Sequence, residues 1–175
     1  MTTNGFIELA RDQINVVDAS ARNCEERPVL GCVHIRKGYI EACDGYIMVR
    51  KRIDYAGEDS ILLHARDIKK ATTRQSVVKL ELGDGRVVEV FGKDGNNIAT
   101  LKRVNDAVFV DTNSVLPQGP PKFKIALNRS LLLKLINTLD KIDTPVRFYF
   151  YGRDNPVIVE TEDTEACIMP MKWRE

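Results

Sequence analysis

The sequence predicts an α+β protein of repeated β-α-β-β-β units, with antiparallel sheets and the helices gathered on one face. Three observations lead there. Short apolar runs alternate with a period of two, as Val78, Leu80 and Leu82 do with Lys79 and Glu81. Each helical stretch is followed by three such runs joined by Gly-containing turns. The same order then starts again at Phe6, Ile61 and Phe123, 55 and 62 residues apart.

The first unit opens with a strand at 6–9 and a helix at 11–22 that places Ile14, Val17 and Ala21 on one side. Pro28 closes the connection, and strands follow at 30–36, 39–43 and 46–53. Lys37-Gly38 and Asp44-Gly45 turn the chain between them. The second unit has a strand at 61–64, a short helix at 65–75 burying Ile68 and Ala71, and strands at 77–82, 86–91 and 97–104. The third begins with a strand at 123–127. Asn128 is a good N-cap for a helix to Lys141, with Leu131, Leu132, Leu135, Ile136 and Leu139 on its buried side. Strands at 146–151, 156–162 and 165–172 complete it. Pro117, Gly119, Pro120 and Pro121 mark a linker, so the expected domains are 1–116, holding two units, and 117–175, holding one. Two units side by side make a closed two-layer domain. A third leaves one half-domain over, and that half needs a partner.

Composition narrows the function. The 175 residues carry 26 Lys+Arg against 25 Asp+Glu, a formal net charge of +1, which excludes a uniformly basic nucleic-acid binder. Apolar runs such as Leu131-Leu132-Leu133 are too short for a membrane span, and Met1-Thr2-Thr3-Asn4-Gly5 does not read as a secretory signal. Cys24, Cys32, Cys43 and Cys167 form no CxxC pair; they read as reduced thiols of a cytoplasmic protein, with Cys32 and Cys167 as small core residues. His34 and His64, the only histidines, have no Ser or Cys partner at a recognisable spacing. Glu160, Glu162 and Asp163 could supply carboxylates, but acids at strand edges are usually solvated. No nucleotide loop or metal motif occurs, so neither catalysis, a cofactor nor a metal is expected.

The helices concentrate positive charge. Arg11 and Arg22 share a face with Asn15 and Asp18; Arg66, Lys69, Lys70 and Arg74 crowd the second helix; Lys134 and Lys141 lie on the third with Ser130 and Asn137. Segments 10–22, 65–75 and 128–141 hold nine Lys/Arg and four Asp, a net +5 that leaves −4 for the rest. Lys and Arg populate solvated helix faces in any protein. Equivalent helices of repeated units can also present one basic surface that contacts phosphates without reading sequence. Both readings stand on charge alone.

Short motifs add a resemblance. Pro28-Val29-Leu30-Gly31 and the hairpin Ala42-Cys43-Asp44-Gly45-Tyr46, with Val115-Leu116-Pro117 and Ile168-Met169-Pro170-Met171-Lys172, stand in order along the chain. This series resembles the bacterial DNA polymerase III beta subunit, the sliding clamp, whose corresponding motifs are P-(V/I)-L, A-T-D-G-H-R-L, V-L-P and V-M-P-M-R. The chain looks like a half-length variant: the family's middle domain joined to its final half-domain. The resemblance implies the DNA-clamp fold, with sheets outside and basic helices lining a channel around double-stranded DNA. The DNA-facing residues would then be Arg11, Arg22, Arg66, Lys69, Lys70, Arg74, Lys134 and Lys141.

The resemblance also implies an apolar pocket for short peptides of DNA polymerase, clamp loader and repair proteins. Carried over position by position, it would comprise Cys43, Gly45, Tyr46, Ile47, Met48, Pro117, Ile168, Met169, Pro170 and Met171. Adaptable Met side chains suit a surface that accepts several peptides; the same residues could equally end a core strand. Tyr46-Ile47 replaces the family's polar, basic pair and points to a more apolar peptide. Clamp rings close with twelve units, so a chain of three would close as a homo-oligomer of four copies. The alternative is a decoy that captures such peptides without encircling DNA.

Overall fold

Glycine turns and alternating apolar residues arrange the strands into three antiparallel sheets. The computed structural model describes residues 6–22, 25–83, 85–139 and 145–172, and the chain divides into units Met1–Leu116 and Pro117–Glu175.

In the first unit, strand β1 (Phe6–Ala10) leads into helix α1 (Arg11–Ile14), which tightens into a 3-10 turn over Asn15–Ala19. A second 3-10 turn, Pro28–Gly31, precedes β2 (Cys32–Arg36), β3 (Tyr39–Cys43) and β4 (Met48–Arg52). Then come β5 (Ile61–His64), helix α2 (Ala65–Thr72), β6 (Val77–Leu82), β7 (Val87–Phe91), β8 (Asn97–Lys102) and a one-turn helix α3 (Thr112–Val115). The sheets run β1-β6-β7-β8 and β4-β3-β2-β5. Each half therefore gives its first strand to the other half's sheet: β1 lies on β6, and β5 lies on β2.

This exchange builds the core. Ile7 and Leu9 from β1 oppose Leu80 and Val78, and Ile61 and Leu63 from β5 oppose Ile35 and Val33, all in one cluster closed by Ile14, Val17 and Ile68. Each fully buried aliphatic side chain stabilises the fold by about 2 kcal/mol, so neither half keeps its core without the strand it receives. The two sheets also touch directly, because Val104 N donates to Leu62 O at 2.9 Å.

In the second unit, helix α4 (Arg129–Ile136) is followed by β9 (Arg147–Phe150), β10 (Val157–Glu160) and β11 (Glu165–Ile168) in the order β11-β10-β9. Asn128 caps α4, its Oδ1 accepting from Ser130 N at 2.9 Å and Leu131 N at 3.1 Å. The core is small: Leu139, Val157, Val159 and Ile168, with Ile125, Leu127, Leu132 and Leu135 packed against it.

Several elements depart from the sequence expectation. The first helix is not one run over 11–22: Asn15, Val16, Val17 and Asp18 are poor helix formers, and the tighter turn buries Val16 and Ala19 as well as Val17. Residues 123–127 join no sheet, and the last strand ends at Ile168, so Met169, Pro170 and Met171 follow it as irregular chain. Leu131 and Ile136 are exposed and only Leu139 of the expected apolar side is buried, because the small sheet of this unit covers only part of the helix. Cys167 is exposed on the edge strand β11, whereas Cys32 and Cys43 are buried. Lys141, the expected end of the third helix, and Cys24 lie outside the described residues.

Candidate functional site

The basic residues of the first unit do not all do the same thing. The 3-10 turn after α1 lies beside α2, and between them runs an open groove of about 620 Å³. Arg22, Arg66, Lys69 and Lys70 line it, with Asp18 as the acid among them. Lys69 Nζ reaches Asp18 Oδ1 at 2.6 Å, and Arg66 Nε lies 3.5 Å from Asp67 Oδ1. Both pairs are largely exposed, so they contribute little to stability and can open toward a phosphate. Arg11 is different. Its guanidinium donates to Thr72 O at 2.8 Å, satisfying a carbonyl at the end of α2. Arg74 is exposed beyond the end of α2 and does not line the groove, and Lys134 is exposed on α4 in the second unit.

The residues of the expected peptide pocket divide between the two units. In the first, the β3–β4 hairpin turns on Gly45 at φ 98°, a left-handed conformation that favours glycine. Asp44 Oδ1 accepts from Tyr46 N and Ile47 N, both at 2.8 Å. These backbone N–H groups hold the Asp44 carboxyl below its ordinary value. The turn lifts Tyr46 to 97% exposure and leaves Ile47 half-exposed, while Cys43 and Met48 pack with Leu30 and Leu62 beneath. In the second unit, Ile168 is buried, Met169 and Met171 are more than half exposed, Pro170 is half-buried and Pro117 is exposed.

Sequence reasoning missed a buried polar network behind β3. Glu41 is 1% exposed and accepts from His34 Nδ1 at 2.8 Å, Arg36 Nε at 2.9 Å and Thr112 Oγ1 at 2.6 Å. Since the carboxylate can only accept, the His34 proton sits on Nδ1, leaving Nε2 for Ser60 Oγ at 2.8 Å. Burial pushes the Glu41 carboxyl up, but these three hydrogen bonds and the Arg36 charge outweigh it and bring it down to about 2. Arg36 and Arg50 also sit over the Tyr39 ring and both donate to Asn113 Oδ1, so the network ties the start of α3 to the sheet. The opposition of His34 and Glu41 across a hairpin was the available signal.

No family model matches the chain, and no curated protein matches it in sequence. Solved structures do. Two four-stranded antiparallel sheets that exchange first strands, with the helices beside a basic groove, are the architecture of a sliding clamp, and the chain has that fold. The particular likeness is to bacterial DNA polymerase III beta subunits. That of Borrelia burgdorferi, in complex with a natural product, matches at a TM-score of 0.67 and 16% identity over 94% of this chain and 47% of that one. The Caulobacter crescentus beta sliding clamp matches at 0.65 and 16% identity over 97% and 52%. The Bacillus subtilis DNA polymerase sliding clamp matches at 0.59 and 14% identity over 99% and 66%. The chain spans about half the length of the first two. Among the described residues, no helix is long and apolar enough to cross a membrane.

Proposed function

We propose that the chain is a clamp-like processivity factor that encircles duplex DNA without reading its sequence and tethers polymerase or repair proteins through their short peptides. The observation that carries this reading is the convergence of Arg22, Arg66, Lys69 and Lys70 on one groove of a clamp fold. A near-neutral chain with a local basic face suits a protein that holds phosphates and still slides, because no contact selects a base. In this reading Arg74 adds to the groove's charge in the first unit, Lys134 is the basic residue that α4 contributes in the second, and Arg11 supports the groove by fixing α2. Four copies, each with three β-α-β-β-β repeats, would supply the twelve repeats of a ring.

For the tethered proteins, the exposed apolar residues Tyr46 and Ile47 on one unit, and Pro117, Met169 and Met171 on the other, are the docking residues. The amphipathic Tyr46 of the first unit, and the flexible Met side chains of the second, each favour apolar and aromatic peptide anchors.

Topology tests the proposal. Loaded protein is expected to stay on nicked circular DNA and to leave when the circle is cut, and to lengthen the products of a polymerase. Arg66→Glu with Lys70→Glu should abolish retention while the fold stays intact by circular dichroism. Inhibition of synthesis with no difference between circles and linear DNA would overturn the ring and mark a decoy.

A further inference from the structure

We infer that the second unit is completed by the second unit of another copy through reciprocal strand exchange. Residues 123–127 of each chain would pair with the open edge of β9 in its partner. This joint is one that the ring reading requires and in that sense rests on it, but its basis is the construction of the half-domains.

The first unit shows how halves join. In both of its sheets the strand after the helix, β6 or β2, takes the first strand of the other half on its outer side. The corresponding strand of the second unit is β9, and among the described residues its outer edge pairs with nothing. All four of its residues are exposed, as is Tyr151 beyond them. An aromatic edge strand of this kind is a template for another strand.

The donor is also present and already placed. Counting back from the helix caps His64 and Asn128, Ala126 corresponds to Leu62. Leu62 O accepts from Val104 N at 2.9 Å just after β8, and Ala126 O accepts from Met171 N at 2.8 Å just after β11. The same bond thus holds one edge of the segment in both halves. The other edge of β5 pairs with β2, whereas residues 123–127 join no sheet. Ile61, Leu62 and Leu63 are buried as a result, and Ile125, Ala126 and Leu127 are only half-buried.

Helix α4 repeats the pattern. Its Ile136 stands where α2 has Thr72, and it is 39% exposed against 1%. In the first unit that end of α2 is met by Arg11 of the other half. Among the described residues of the second unit, none plays that part. Phe123 lies edge-on to Phe150 at 6.1 Å and shields part of the aromatic edge in a single copy. Exchange replaces this partial cover with a strand.

Donor and acceptor lie on one unit, so the surface is self-complementary and two copies satisfy each other about a two-fold axis. The joint continues in kind the interface between the halves of the first unit. The side chains left open would bury on the order of 1,000 Å² over two copies, the lower range of specific interfaces. Register follows from the core. Val157 and Val159 oppose Phe150 and Phe148, which therefore face inward. In the first unit the residue before the cap meets the first inward residue, Leu9 on Val78 and Leu63 on Val33. Leu127 of one copy is then placed on Phe148 of the other, Ile125 on Phe150, and Ala126 on Tyr149 on the outer face.

A cysteine pair tests this in the full chain. With Cys167→Ser as background, Ala126→Cys plus Tyr149→Cys should oxidise to a covalent dimer on a non-reducing gel, and Lys124→Cys plus Tyr149→Cys should not. Light scattering of the unmodified chain should give an even multiple of 19.8 kDa, and Phe150→Asp should halve that mass or more with an unchanged circular dichroism spectrum. A single-copy mass at 100 μM, a disulfide within one chain, or equal crosslinking of both pairs would overturn the exchange. Retention on circular DNA, measured on the same samples, separates the two ideas. Crosslinked dimers that are never retained overturn the ring and leave the exchange standing. Retained protein that crosslinks only out of register overturns the exchange alone.

Discussion

Glu41 is held by three donors from two segments, His34 and Arg36 of β2 and Thr112 of α3, and is 1% exposed. Its carboxyl titrates at about 2 in the fold against an ordinary 4.5, so the depressed value stabilises the fold wherever Glu41 is ionised in both states. That contribution is complete above about pH 4.5 and is lost as pH falls toward 2. Glu41→Gln should therefore lower stability at pH 7 by roughly 2–4 kcal/mol, because it weakens three bonds and leaves Arg36 without its buried counter-charge. The gap between variant and parent, measured by urea melts, should narrow as pH drops through that window. None of this was legible in Tyr39-Ile40-Glu41-Ala42-Cys43, where alternation places Glu41 on the face opposite Ile40 and Ala42 and so reads as wet. Phe109 and Thr112, some seventy residues on, are what cover that face.

At the scale of elements, the helices show how one charge can serve two purposes. Arg11 was expected to face DNA, and its guanidinium also closes the end of α2. Arg11→Ala should cost about 1 kcal/mol in thermal or urea unfolding and change DNA affinity less than twofold. Arg66→Ala with Lys70→Ala should do the reverse, leaving the unfolding midpoint within error and weakening DNA binding severalfold. The placement of α2 and its basic residues was readable from Ile68 and Ala71 at helical spacing. The role of Arg11 was not, since its partner carbonyl comes from the other half. Asn128 shows the opposite case: its cap is local, and Asn128→Ala should destabilise the second unit by about 1 kcal/mol.

For the whole molecule, the near-zero charge averages two opposed contributions, a basic helical set and an acidic remainder. DNA affinity should then fall steeply with salt, each phosphate contact adding about 0.9 to the slope of log affinity on log salt. Removing Arg66 and Lys70 together should lower that slope by about two, a measurement independent of any ring. The order of most elements, the Gly38 and Gly45 turns, the Asn128 cap and the basic residues of α2 were present in the sequence, because periodicity, Gly turns and N-caps act over a few residues. Only the tertiary structure decided that first strands cross between halves, that Glu41 is buried, that Arg11 serves α2, and that one aromatic strand edge is left open. Those are pairings between distant segments, and an alternating strand carries the same pattern whichever edge receives it.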